Sequence, residues 1–202
     1  MRNPVTLVIV VVLAIVAAVI LVRAGNRPDT VANESGYADV DTRSGATAPL
    51  AAAELAFVTR AAESGKAEIE LAQLAQRTSE NPRVDQLAEH IERDHEQAND
   101  QLADLVDRRD VDFPGVAIGL PGPNAQQQAT YDRLDELEGA AFDRAWIDQM
   151  AQNHEASIES FTTASKSADA DVKAFAEKTL PVIKHHLEQI EALQKTVRAP
   201  QR

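Results

Sequence analysis

Apolar residues recur at three- and four-residue steps in four long stretches of the chain, which is the spacing of one face of an α-helix. The stretches cover about residues 50–78, 82–109, 142–165 and 172–193. Helices with one apolar face each bury those faces most readily against one another. Because the connections after the first and third helices are short, each pair should run antiparallel. The pattern therefore predicts an all-α fold, an antiparallel four-helix bundle.

The segments between these stretches contain residues that start or stop helices. Asn81 is a good N-cap, and Pro82 follows it at the first helical position. Residues 110–123 hold three prolines and three glycines, which excludes a regular helix there. Asn124 can then cap a short extra helix between the second and third long ones. Pro181 lies inside the fourth long helix, where it predicts a kink.

The N-terminal segment has a different pattern, because Val5–Val22 is apolar at every position except Thr6. As a helix this run would cover about 27 Å of bilayer, and no small-x-small cleavage site follows it. We therefore expect an uncleaved transmembrane anchor that contacts the membrane through residues 4–22. The predicted organisation is a signal anchor at 1–23, a flexible linker at 24–48 and the bundle domain at 49–198.

The side of the membrane on which the domain lies follows less directly from the charges. Arg2 precedes the apolar run and Arg23 and Arg27 follow it, so the positive-inside rule is nearly balanced. We expect the N-terminus in the cytoplasm and the folded domain in the periplasm or another extracytoplasmic space.

The amino-acid composition excludes several classes of partner, metal ligand and catalytic site. A formal net charge of -12 would repel a phosphate backbone, so nucleic acid is not an expected partner. The chain has no cysteine and only two methionines, so a metal would need nitrogen or oxygen ligands. No catalytic triad order, phosphate-binding loop or zinc-protease motif is present, and the sequence assigns the chain no enzymatic reaction.

One ionisable residue lies on the apolar stripe of each long helix. These residues are Glu68, His95, His154 and His186. Counting residues from the two hairpin turns places all four within about one helical turn of the same height, which predicts one polar layer in the middle of the core. The two other histidines, His90 and His185, fall off the stripes and should face solvent.

This layer has three interpretations. Three imidazoles and a carboxylate suit a divalent transition metal such as Zn, Fe, Mn, Ni or Cu. Alternatively, the histidines hydrogen-bond to Glu68, Asp94, Asn153 or water and only fix the helix register of a structural module that binds an envelope partner. The third interpretation is a metal-dependent oxidase or peroxidase-like enzyme, which would need an open coordination position on the metal and a path for its substrate. The Glu-x-x-His spacing of di-iron bundles occurs only at Glu92 and His95, so a complete di-iron centre is not expected.

Four segments carry a family resemblance. They are GKAEIELA at 65–72, RDHEQAN at 93–99, AFDRAW at 141–146, and Leu180-Pro181 with His186-Leu187. Over about residues 50–196 the chain resembles the bacterial domain-of-unknown-function family 4142. The resemblance implies a ferritin-like four-helix protein exported to the bacterial envelope, with no established reaction. The family's recurring acidic and histidine positions look like Glu68, His95, His154 and His186, whereas its members usually carry a cleavable signal or lipid anchor.

Overall fold

The computed structural model describes residues 48–113, 116–117 and 119–198, which all belong to one compact unit. These residues form five helices and no strand. The helices are α1 (Ala52–Thr78), α2 (Pro82–Arg108), α3 (Ala125–Asp135), α4 (Gly139–Ala164) and α5 (Ala170–Arg198). The prediction of an all-α fold is confirmed, and the short extra helix lies where it was expected.

The four long helices form a closed ring of neighbours. Helix α1 packs most extensively against α2, and α4 packs most extensively against α5. The two hairpins meet because α1 also contacts α4 and α2 also contacts α5. The short helix α3 lies across α1 and α4. This arrangement is a four-helix bundle, in which side chains from all four long helices can meet in one core.

Local capping explains where several helices begin. The Asn81 side chain accepts a hydrogen bond from the Arg83 backbone N–H, which satisfies a free donor at the start of α2. Asn124 and Gln127 form a reciprocal capping box at the start of α3. Gly139 has a φ of +54°, a left-handed conformation that glycine adopts at little cost, and it marks the change from the loop to α4.

Two sequence predictions remain untested. Helix α5 continues through Pro181, and the predicted kink there stays a prediction. The predicted membrane anchor lies outside the described residues, as does all but the last residue of the predicted linker. In the part of the chain that the structure describes, no helix combines the length and the apolar character needed to cross a membrane.

The apolar core consists of two clusters with the polar layer between them. The Trp146 cluster contains Leu134 of α3 and, in the four long helices, is built from α1 from Leu71 onward, the first half of α2, the start of α4 and the end of α5. The Phe57 cluster is built from the opposite halves of the same helices. Along each long helix, the predicted polar residue lies between the residues that enter the two clusters. Side chains on both sides therefore hold the polar layer at one height.

Candidate metal centre

All four predicted site residues meet in the middle of the bundle. The side chains of Glu68, His154 and His186 are at most 1% exposed, and that of His95 is 12% exposed. The three imidazole rings lie 5.4 to 5.7 Å apart, measured between ring centroids. One nitrogen from each histidine lies within 4.8 Å of the other two. The three histidines therefore form a group that could hold one metal ion.

A chain of polar contacts runs through two of these histidines. His154 Nδ1 lies 2.9 Å from the Met150 carbonyl oxygen, one turn earlier on α4. His154 Nε2 lies 3.3 Å from His186 Nδ1 on α5. On its other side, His186 Nε2 lies 3.0 Å from Asp94 Oδ2 on α2. The chain links three helices, and it fixes the orientation of both rings.

Glu68 lies against the other side of the histidine group. Its Oε2 atom is 3.2 Å from His95 Nε2 and 3.5 Å from His154 Nδ1. Its Oε1 atom accepts a hydrogen bond from Ser64 Oγ over 3.3 Å. Despite the short distances, Oε2 is a buried oxygen without a hydrogen-bond donor among the described residues. A buried carboxylate oxygen in this state is costly unless a cation compensates it.

Burial keeps two of the imidazoles in the neutral form that binds metals. The pKa of His186 is lowered from 6.5 to about 4, chiefly by burial and also by the charges of His95 and His154, while Asp94 opposes the shift. Burial also lowers the pKa of His95 below the ordinary 6.5, although Glu68 partly offsets the effect. At neutral pH both rings are therefore uncharged and offer a lone pair.

The outermost carboxylate of the site stays negative at neutral pH. Desolvation raises the pKa of Asp94, but the hydrogen bond and charge of His186, followed by those of Arg93, lower the pKa below its ordinary value overall. A carboxylate that holds the second nitrogen of a ligating histidine is common around protein metal sites.

Some contacts differ from the sequence-based expectations. Asp94 was expected only as a hydrogen-bond partner in the structural interpretation, and it does bond to His186. The Met150 carbonyl was missed, because a backbone partner leaves no mark in the sequence. Asn153 instead accepts a hydrogen bond from Gln149. Glu92 accepts hydrogen bonds from the amides of two glutamines on its two carboxylate oxygens, so these atoms are engaged away from the histidines.

The two remaining histidines differ from each other. His185 is 66% exposed, as predicted. His90 was also expected to face solvent, but it is half-buried. It lines a groove between α2 and α5 together with Gln189 and Leu193 of α5.

Comparison with known proteins identifies a family and a fold. The model of the family described as a domain of unknown function (DUF4142) matches residues 40–193. A crystal structure of a DUF305 fragment from Deinococcus radiodurans is similar with a TM-score of 0.64 and 16% identity, covering 73% of this chain and 99% of that chain. A putative secreted DUF305 protein from Streptomyces coelicolor is similar with a TM-score of 0.61 and 14% identity, covering 74% and 95%. No curated protein matches the chain. At these identities the structural likeness shows the fold alone.

Proposed function

The chain belongs to the DUF4142 family, and from this premise we propose that its histidine cluster binds one divalent transition-metal ion. The proposed ligands are His95, His154 and His186, with Glu68 as the carboxylate beside them. The role that fits such a site is metal handling or stress protection. The observation that carries the proposal is the facing pair of nitrogens in His154 and His186.

The contacts with Met150 and Asp94 determine which nitrogen of each ring carries a hydrogen atom. The Met150 carbonyl can only accept a hydrogen bond, so His154 Nδ1 must carry its hydrogen. The ionised Asp94 carboxylate also only accepts, so His186 Nε2 must carry its hydrogen. With one hydrogen on each ring, His154 Nε2 and His186 Nδ1 are both acceptors, and they face each other over 3.3 Å. Two acceptors at this distance repel each other unless a metal ion or a proton lies between them.

The distance between the two nitrogens suits a metal ion. Two imidazole nitrogens bound to one tetrahedral zinc ion at about 2.0–2.1 Å are about 3.3 Å apart. The nitrogens of His154 and His186 are separated by 3.3 Å. His95 supplies a third nitrogen within 4.8 Å of the other two, and Glu68 Oε2, 3.2 Å from His95 Nε2, places a carboxylate beside the cluster. Nitrogen and carboxylate donors suit Zn, Fe, Mn, Ni and Cu, and three histidines leave room for a further ligand.

The second candidate function is a structural or protein-interaction module of the envelope. A proton shared between His154 and His186 would also satisfy the facing nitrogens and complete the chain from Met150 to Asp94. The buried layer would then only fix the register of the four helices. The two candidates differ in whether metal changes the stability of the protein.

Metal titration separates these candidates. A suitable ion at a free concentration of about 100-fold its Kd should raise the melting temperature of the full chain, because binding at that concentration stabilises the folded state by about 2.7 kcal/mol. The His154→Gln and His186→Gln variants should lose this rise. The matched control His185→Gln should keep it, since that ring is exposed. Differential scanning calorimetry with Zn, Fe, Mn, Ni and Cu measures the effect. If none of the five ions changes the wild-type melting temperature, the metal-binding proposal is contradicted and the structural module is the remaining candidate.

For localisation, we infer that residues 1–23 anchor the domain to a membrane on the extracytoplasmic side. The supporting observation is the apolar run Val5–Val22. The full chain should sediment with membranes and resist alkaline carbonate extraction, and deletion of residues 1–23 should move it to the supernatant. Protease added to intact spheroplasts should digest the domain. Protection from that protease would contradict the proposed orientation.

A further inference from the structure

A second groove of the molecule is formed by α1, α4 and the short helix α3, and its volume is about 390 Å³. The hydrogen bond between Trp146 and Leu71 fixes how far α1 and α4 are shifted along each other. Counting seven residues back along α1 and seven forward along α4 places Ser64 level with Asn153, and both line the groove. Ser64 also donates a hydrogen bond to Glu68. The groove therefore lies beside the polar layer, and none of the described residues that line it is a histidine.

The orientation of the Asn153 amide in this groove is fixed by two successive hydrogen bonds. The Arg133 guanidinium can only donate, so the Gln149 atom that accepts from it is Oε1. Gln149 Nε2 is then the atom that donates to Asn153 Oδ1. This leaves Asn153 Nδ2 as a donor without a partner among the described residues, and the atom is accessible to solvent. Asn153 therefore offers donors to a ligand in the groove.

Two further residues of the lining have unpaired donors. Gln127 Oε1 accepts a hydrogen bond from the Asn124 backbone N–H, which can only donate, so the accessible Gln127 Nε2 is left unpaired. The exposed Arg60 guanidinium forms no hydrogen bond or ion pair with a described residue. Arg60 belongs to α1, Gln127 to α3 and Asn153 to α4. All three helices therefore contribute unpaired donors to one groove.

One carboxylate lies among these donors. Glu63 Oε2 accepts a hydrogen bond from Asn124 Nδ2, and Glu63 Oε1 has no partner among the described residues. Arg60 and Glu63 are three residues apart on α1, near enough to pair, yet no ion pair joins them. Glu63 and the net charge of -12 would both repel an anionic ligand. A ligand with one carboxylate and one ammonium group carries no net charge and complements both residues.

The groove also has an apolar part, to which Ala61, Ala156 and the edge of Phe161 contribute. We propose that the groove binds a small zwitterion of the α-amino-acid type with an apolar side chain. Its carboxylate accepts hydrogen bonds from Arg60, Asn153 and Gln127. Its ammonium group donates to Glu63, and its side chain contacts the apolar part. A volume of about 390 Å³ is ordinary for a small-molecule site. This site is separate from the proposed metal centre and does not depend on it.

Isothermal titration calorimetry on the full chain, freed of metal by a chelator, tests the proposal with L-leucine as the probe. Two analogues each remove one charge of the probe: N-acetyl-L-leucine has no ammonium group, and L-leucinamide has no carboxylate. Both should bind about tenfold or more weakly than leucine, because each loses hydrogen bonds between charged groups.

Two substitutions locate the site without removing the hydrogen bonds of the fold. Gln127→Glu and Asn153→Asp keep the oxygen that accepts the structural hydrogen bond and replace the unpaired amide nitrogen by a charged oxygen. Each should weaken leucine binding by about tenfold or more, with a wild-type circular dichroism spectrum and melting curve. The matched control Gln152→Glu adds the same charge next to Asn153 but lines a different groove, between α4 and α5, and should bind leucine like the wild type.

The opposite results overturn the proposal at separate steps. A wild-type chain that does not bind leucine overturns the site, whatever the metal titrations show. Equal binding of leucine and either analogue overturns the zwitterion, because one of its two charges would then not be recognised. Wild-type leucine affinity in both Gln127→Glu and Asn153→Asp overturns the placement in this groove. Since the titration is metal-free, failure of the metal centre would leave its result unchanged.

Discussion

Acidification from pH 7 to pH 4 is expected to destabilise the metal-free domain by about 3 kcal/mol through His186 alone. The folded-state pKa of His186 is lowered from 6.5 to about 4, chiefly by burial. Between these two values, the unfolded chain holds a proton on this residue that the folded chain lacks. Unfolding therefore takes up a proton, and the free energy of unfolding falls as the pH drops from 6.5 towards about 4. Above pH 6.5 this contribution to stability is fully present.

The groups around His186 set the direction of this effect. Asp94 faces the ring from α2 and favours its charged form, whereas His95 on α2 and His154 on α4 oppose it. His95 has its own pKa lowered by burial, against the effect of Glu68 on α1, and adds to the acid sensitivity in the same direction. The effect of Asp94 does not offset burial and the two neighbouring histidines, so the pKa of His186 stays below its ordinary value.

Urea denaturation at a series of pH values measures this effect. His186→Gln removes the titrating ring and keeps an amide N–H near Asp94, so the fall in stability between pH 6.5 and 4 should be clearly shallower. His185→Ala should keep the wild-type dependence, because that histidine is exposed. An identical pH dependence in wild type and His186→Gln would show that His186 is not the group responsible.

Most of the fold could be predicted because its determinants are local. The apolar spacing along each helix fixes which face is buried, and Asn81 and Asn124 mark helix starts through contacts within three residues. The same spacing placed Glu68, His95, His154 and His186 on the inward faces. Their common height followed from counting residues from the turns, since the helical rise is nearly constant.

The details of the site could not be predicted, because they depend on ring orientation and on contacts between helices. The side-chain rotamer of His154 decides that its Nδ1 meets the Met150 carbonyl, and the sequence does not specify this rotamer. The pairing of Asp94 with His186 depends on how α2 and α5 are rotated about their axes. A half-buried His90 likewise results from a groove that two helices form together. The sequence therefore predicts which residues meet, and the structure adds which atoms face each other.

Replacement of Trp146 by alanine is expected to lower the free energy of unfolding by about 3–5 kcal/mol. The indole is completely buried, and its Nε1–H donates a 2.8 Å hydrogen bond to the Leu71 carbonyl of α1. Alanine would leave a large cavity between α1 and α4 and remove this bond. Trp146→Phe fills much of the space and loses only the hydrogen bond, so it should cost about 1–2 kcal/mol.

The effect should extend to the metal centre, since Trp146 joins α1 and α4, two of the four helices that carry the site. Leu71 follows Glu68 by three residues on α1, and Trp146 precedes His154 by eight residues on α4. A loosened α1–α4 contact would let His154 and Glu68 move apart, and Co²⁺ affinity should fall in folded Trp146→Ala more than in Trp146→Phe. Urea denaturation and cobalt titration at low temperature measure the two effects. A stability loss below about 1 kcal/mol would contradict the proposed role of this indole, because burial of so large a side chain ordinarily contributes several times as much.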